Sequence, residues 1–333
     1  MRATAKMPGL ACEYCRFETG DGLELQGLLV EPRRKSGRAV VHVHGWDGNC
    51  YENRFIDHAA RAATATGYGF FAFNNRGHDY IADILRPGTG DYLQLGGMYE
   101  RLADCIPDIG AALDSVARRG YRQVILQGHS HGAIKATHYV ATRRDRRVRG
   151  LVLLSPSDDL GWGRKLMGKR FDAACRTAGR LVKAGRVREL LPEGMFSYPV
   201  SAGTFLDAFG PDSIAAMFNL SRTERREFPE LGSIRVPVLV AAGTVEEAFV
   251  GSANDYLAAI RTALANAPLV TTAVISGAPH NYLGKEAQLA AVLKHWLCKQ
   301  ASQKPKVKGQ RSKPKDVRAG RKSAIDNRRF PNG

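Results

Sequence analysis

Gly128-His129-Ser130-His131-Gly132 is the stretch of this chain best suited to covalent chemistry. It follows the apolar run Val124-Ile125-Leu126 and opens the helix-like run Ala133 to Ala141. A sharp strand-to-helix turn leaves no room for Cβ atoms two residues either side of its apex, so glycine at both flanks has a steric reason. Such a turn lifts the Ser130 hydroxyl to the top edge of a sheet. It also aims the first N–H groups of the following helix at the reacting atom. The chemistry implied is nucleophilic attack by a serine oxygen.

A serine hydroxyl is a weak nucleophile at neutral pH. It needs a base, usually histidine, and the histidine needs a carboxylate to fix its tautomer. Downstream of Ser130 stand four histidines: His131, His138, His280 and His295. His131 sits in the turn itself, and His138 and His295 lie inside helix-like runs. His280 follows the apolar strand Leu269 to Ile275 and the turn Ser276-Gly277-Ala278-Pro279, which puts it in a loop beyond a strand end. It is the expected base. For the carboxylate, Arg235 to Gly243 reads as a buried strand entering a loop, and Thr244-Val245-Glu246-Glu247 follows. Glu246 is the first choice. Glu247 beside it and Asp158, after the strand Leu151 to Leu154, are the alternatives.

The developing oxyanion needs two N–H donors, each typically worth about 2.7–4 kcal/mol. The amide of His131 is one. The strand Ala39 to Val43 leads into His44-Gly45-Trp46-Asp47-Gly48-Asn49, which offers the amide of Trp46 as the second. His44 is read as propping that loop by hydrogen bonds. The Trp46 side chain either lines the acyl pocket or covers the core.

Five segments occur in order: HVHGWDGNCYENRF, FFAFNNRGHD, VILQGHSHGA, VLVAAGTVEE and SGAPHNYLG. Over about residues 11–299 the chain thereby resembles the α/β-hydrolase superfamily. The piece HGWDGNCYEN followed by NNRGHD is similar to a narrower group that includes fungal siderophore ester hydrolases acting on fusarinine-type substrates. The resemblance implies an eight-stranded, mostly parallel sheet with helices on both faces. It also implies Ser130, His280 and an acid as the catalytic set. Glu246 stands where aspartate is the usual residue.

The elements needed to position these residues are legible. Strands are predicted near 11–19, 23–31, 38–43, 68–74, 122–127, 148–154, 235–242 and 269–275. Helices are predicted near 53–66, 101–119, 131–142, 252–265 and 285–299. Alternating β and α from residue 38 argues for an α/β fold with a parallel sheet. The first two strands share only the turn Gly20-Asp21-Gly22 and read as an antiparallel hairpin at one edge.

Residues 156–232 interrupt the alternation and are too long for a loop. Helix-like pieces at Phe171 to Glu189 and Ser213 to Phe218 suggest a cap over the site, inserted in a hydrolase domain spanning 1–300. Its first half carries Arg164, Lys165, Lys169, Arg170, Arg176, Arg180, Lys183, Arg186 and Arg188. These read as a solvated helix face or, more sharply, as a basic entrance for anionic substrates. The tail 301–333 holds 11 Lys and Arg against 2 Asp, a +9 share of the chain's +17. It is too polar to order itself, and its expected role is weak, nonspecific contact with an anionic partner.

Composition bounds the rest. The chain has 333 residues, 44% hydrophobic, enough for one large core. No apolar run is long enough to span a bilayer, and Met1 to Gly9 lacks a signal core. Cys12 and Cys15 form a lone C-x-x-C with no second pair, so neither a metal nor a redox centre is expected. Reduced thiols in a cytoplasmic protein account for the six cysteines. The reading is an enzyme needing no cofactor, cleaving a small-molecule carboxylic ester. A peptidase or amidase of the same fold, or a non-catalytic binding protein using the cleft, is the alternative.

Overall fold

The computed structural model of the chain describes residues 10–220 and 228–302. The expected disordered basic tail and its anionic partner fall almost wholly outside the described residues. An eight-stranded sheet organises the rest. Its strands are β1 (Cys12–Glu18), β2 (Glu24–Val30), β3 (Arg38–Val43), β4 (Gly69–Phe73), β7 (Gln123–His129), β8 (Val148–Leu154), β9 (Val238–Val245) and β10 (Val270–Pro279). The spatial order is β1-β2-β4-β3-β7-β8-β9-β10. The pairs from β4 to β10 are parallel, whereas β2 runs antiparallel to both β1 and β4. All eight strands fall where the pattern predicts them. β5 (Ala82–Arg86) and β6 (Asp91–Leu95) form a separate antiparallel hairpin that the sequence reading left unassigned.

Period-2 alternation splits the core into two layers. On β3, Ala39, Val41 and Val43 face one layer while Val40 faces the other. The first layer is closed by α2 (Cys105–Arg118), α3 (His131–Arg143) and α8 (Ala253–Ala263), through residues such as Ile109, Ile134 and Ile260. The second is closed by α1 (Phe55–Ala65) and α9 (Glu286–Ser302), through Phe55, Leu289, Leu293 and Trp296. Strands covered on both faces read as continuous apolar runs, which is why β4 and β8 are almost wholly buried. This is the α/β-hydrolase fold.

Between β8 and β9 the chain leaves the sheet. It forms α4 (Asp159–Met167), α5 (Phe171–Lys183), α6 (Ala202–Phe209) and the short α7 (Pro229–Gly232). Helix α5 ends earlier than the predicted piece, at Lys183, and Ile214–Phe218 is a 3₁₀ helix. Helices α4, α5 and α6 share a third apolar cluster that includes Leu160, Phe171, Phe205 and Phe209, whereas Leu231 of α7 packs in the first layer. Trp46 packs against that cluster from the hydrolase side, its ring centroid 4.8 Å from that of Phe209 and 6.2 Å from that of Phe196.

The turn at Ser130 depends on close backbone approach. A Cβ on Gly128 would lie 2.1 Å from the carbonyl oxygen of Gly132, and one on Gly132 would lie 2.3 Å from that of Val43. The obstacles are backbone atoms of β3 and α3, which cannot swing aside. Gly132→Ala is therefore expected to lower unfolding free energy by about 3 kcal/mol, in the range of core overpacking. Urea unfolding checks this, and a loss under about 0.5 kcal/mol would mean the β3–α3 approach is loose.

Candidate active site

Ser130 occupies the one-residue junction between β7 and α3, with φ +58° and ψ −131°. A non-glycine residue at positive φ is strained, and such strain collects at functional turns. The conformation is held from both sides. The Ser130 N–H donates to the Leu154 carbonyl at 2.9 Å, and the Ser130 carbonyl accepts from Ala133 N–H at 2.9 Å. The loop after β3 comes close because Gly45 has no side chain: a Cβ there would sit 3.0 Å from Ser130 Cβ.

His280 follows β10. Its Nε2 lies 2.8 Å from Ser130 Oγ and its Nδ1 lies 2.5 Å from Glu246 Oε1. Glu246 follows β9, and its side chain is 1% exposed. Glu246 Oε1 also accepts from the N–H groups of Glu247 and Ala248, at 3.2 and 3.1 Å. Serine, histidine and glutamate thus form one hydrogen-bonded chain across three strand ends. Burial opposes an imidazolium at His280, but the hydrogen bond and charge of Glu246 outweigh it and hold the pKa above its ordinary value. Burial likewise opposes ionised Glu246, and the hydrogen bond and charge of His280 outweigh it, so its carboxyl is lowered.

Among the described contacts, neither of the two other candidate carboxylates bonds to His280. Glu247 is exposed. Asp158 caps α4, accepting from Gly161 N–H at 2.9 Å, and also accepts from the Asn219 amide at 2.6 Å. The His131 ring turns away from Ser130 to Asp159, with Nδ1 and Oδ2 2.5 Å apart.

Buried groups support the site from behind; of these, sequence reasoning gave a role to His44, as a prop for its loop, and none to His129, Lys135 or Glu100. His129 Nε2 is 2.9 Å from the carbonyl oxygen of His280. Burial and the nearby His280 keep the His129 ring neutral, so it donates to that carbonyl and ties the His280 loop to β7. Lys135, fully buried on α3, pairs with Glu100 at 2.5 Å. Lys135 Nζ also donates to the Gly45 carbonyl at 3.3 Å. That carbonyl accepts again from His44. The Asn75 N–H donates to His44 Nε2 at 3.1 Å, which puts the His44 proton on Nδ1, 2.8 Å from the Gly45 oxygen. A lysine inside an amphipathic helix reads as surface, so nothing local in the sequence marks Lys135. Its partner Glu100 occupies the space left by Gly77, where a Cβ would lie 2.1 Å from the Glu100 carboxyl carbon.

Ser130, His280 and Trp46 line a cavity of about 310 Å³. Trp162 and Tyr198, from the β8–β9 segment, line it as well. Trp46 fills both roles considered for it: it lines the cavity and packs on the third apolar cluster. None of the basic side chains of the segment's first half lines this cavity; Arg176, Arg180 and Lys183 border a separate groove along α5.

A serine held on a strained strand–helix turn of an α/β-hydrolase sheet defines the class, a serine hydrolase. The family described as serine aminopeptidase, S33, matches residues 34–288, and the chain belongs to it. Among solved structures, Est1E from Butyrivibrio proteoclasticus, determined with ferulic acid bound, superposes with a TM-score of 0.60 at 17% identity, covering 87% of this chain and 100% of that one. An esterase from Pyrococcus furiosus gives 0.55 at 17% identity over 87% and 92% of the two chains. A monoacylglycerol lipase from Paleococcus ferrophilus gives 0.54 at 17% identity over 87% and 100%. At these identities the likeness is one of fold. No helix among the described residues is long and apolar enough to cross a membrane.

Proposed function

We propose that this protein hydrolyses a carboxylic ester through an acyl-enzyme on Ser130. The observation that carries the reading is the unbroken chain from Ser130 Oγ through His280 to Glu246 at the wall of a cavity. Ser130 Oγ bonds to the ester carbonyl carbon while its proton passes to His280 Nε2. Glu246 holds the resulting imidazolium. The carbonyl oxygen, now negative, is received by the N–H groups of Trp46 and His131. The acyl–oxygen bond breaks, and His280 returns the proton to the leaving alcohol. Water then adds to the acyl-enzyme by the same route and releases the acid. Residues 156–232 act as a cap that excludes water and sets acyl size, within a hydrolase domain spanning 1–300. The esterase and lipase activities named for two of the structural relatives, together with the intact serine–histidine–carboxylate chain, favour ester cleavage over a purely binding role.

Fluorophosphonate labelling tests the nucleophile, followed by p-nitrophenyl esters of graded acyl length. The expected result is one label on Ser130 and turnover that peaks at one acyl length and then falls. Folded protein that neither labels nor turns over any ester would overturn the reading.

Lys135 enters as a positioning residue. The Gly45 C=O and Trp46 N–H belong to one peptide unit, and in a trans peptide they point in opposite directions. Lys135 and His44 hold the carbonyl on the buried side, which aims the N–H toward the reacting oxygen. Removing Lys135 alone would strand the Glu100 carboxylate in the interior, so the informative variant is Lys135→Met combined with Glu100→Gln. It is expected to lower kcat and kcat/KM together, by about tenfold to a hundredfold, with KM little changed. A fall confined to KM would assign the pair to binding instead.

A further inference from the structure

The chain carries a net charge of +17, yet among the described residues no Lys or Arg lines the cavity beside Ser130. Four carboxylates line it instead: Asp47, Glu52, Asp159 and Glu247. Asp159 is matched by His131. Asp47 has no cationic partner within 4 Å among the described residues, and burial, with the charges of Glu52 and Glu100 adding to it, raises its carboxyl to about 6. Glu247 is exposed at the rim. A second, independent feature points to a ligand. Ser157, 2% exposed, lines the same cavity, and its Oγ has no hydrogen-bond partner among the described residues. A buried hydroxyl left unpaired costs free energy unless something that enters the cavity satisfies it.

The aromatic walls add the third component. Trp46, Trp162 and Tyr198 line the cavity, and aromatic faces attract cations. Electrostatics during the reaction point the same way. The tetrahedral intermediate places a negative charge on the carbonyl oxygen while His280 gains a positive one, so the lining carboxylates keep their excess negative charge. A positive group on the substrate offsets that excess in the bound ester and in the transition state alike.

We propose that the substrate is an ammonium-bearing ester, its positive group held in this cavity among the carboxylates, the Ser157 hydroxyl and the aromatic faces. The proposal rests on the ester-hydrolase reading above. It names the substrate class that this lining selects, and it reverses the attraction for anions suggested by the basic segment.

Carbon isosteres test it. The first set is the p-nitrophenyl esters of 6-aminohexanoic and heptanoic acids, in which CH₃ replaces NH₃⁺, with the adipic acid monoester as the anionic member. The second set places the charge on the leaving group: acetylthiocholine against 3,3-dimethylbutyl thioacetate. The expected result is a kcat/KM for the cation about tenfold or more above its neutral isostere in at least one set, with the anionic ester slowest. The ratio should shrink with added salt and fall about threefold or more in Asp47→Asn. Because the ratio is read within each variant, a general loss of activity cancels. Cation-to-isostere ratios below threefold in both sets, a preferred anion, or a ratio that neither Asp47→Asn nor Glu247→Gln lowers would overturn the proposal. Fluorophosphonate labelling separates the two failures. A labelled enzyme without cation preference removes only this inference, whereas an unlabelled one removes the ester-hydrolase reading beneath it.

Discussion

Ser130→Ala is expected to lower kcat by about 10⁵-fold or more, the scale on which removal of a serine nucleophile acts in unrelated serine hydrolases. The variant keeps the turn, because Ala inherits the same positive φ and the neighbouring glycines are untouched. It loses one side-chain hydrogen bond, the one to His280 Nε2. Stability should therefore change by under about 1 kcal/mol, while fluorophosphonate labelling disappears. Residual hydrolysis would come from substrate positioning and the oxyanion donors alone. Purified Ser130→Ala that is folded by thermal melting and still retains more than about 1% of kcat would place the nucleophile elsewhere.

The contrast between what the chain displayed openly and what it hid follows from range. Strands β3, β4, β7 and β8 are apolar over most of their lengths because both faces are covered, and that pattern survives in a linear reading. Gly128 and Gly132 are legible for the same local reason, since each removes a Cβ that would strike backbone within a few residues or on the adjacent strand. Helices α4 and α6 are short, and their apolar residues satisfy a separate cluster, so no long period marks them. Their N-caps, Asp158 and Ser201, were available signals. The β5–β6 hairpin is half-exposed and only five residues on each side, although Pro87-Gly88-Thr89-Gly90 between its strands is turn chemistry.

The choice among Glu246, Glu247 and Asp158 shows the limit most clearly. All three carboxylates follow strand ends, and the sequence cannot say which one points inward. That is decided by two backbone N–H groups folding over Glu246 Oε1, and by α4 and Asn219 occupying Asp158. Lys135 was illegible for a deeper reason. Its partner Glu100 and its target Gly45 lie far away in the chain, on elements whose meeting is a property of the whole fold.

Glu246→Gln is expected to lower kcat by about 10⁴-fold, because the amide neither fixes the His280 tautomer nor stabilises the imidazolium. Its pH profile carries the sharper test. His280 must be neutral to accept the serine proton, so the rate falls as pH drops through its pKa. In the parent enzyme burial resists protonation, yet the hydrogen bond and charge of Glu246 prevail and raise that pKa. Replacing the carboxylate leaves burial unopposed by its main counterweight, although the weaker charges of Glu247 and Asp159 still act in the raising direction. The acid limb of kcat/KM should therefore move to lower pH in Glu246→Gln, while the plateau falls. Glu247→Gln serves as the internal comparison. It removes a charge at greater range without touching the His280 hydrogen bond, so its loss in kcat must be much the smaller of the two. If Glu247→Gln caused the larger loss, or if the acid limb of Glu246→Gln stayed in place, the carboxylate orienting His280 during turnover would not be Glu246.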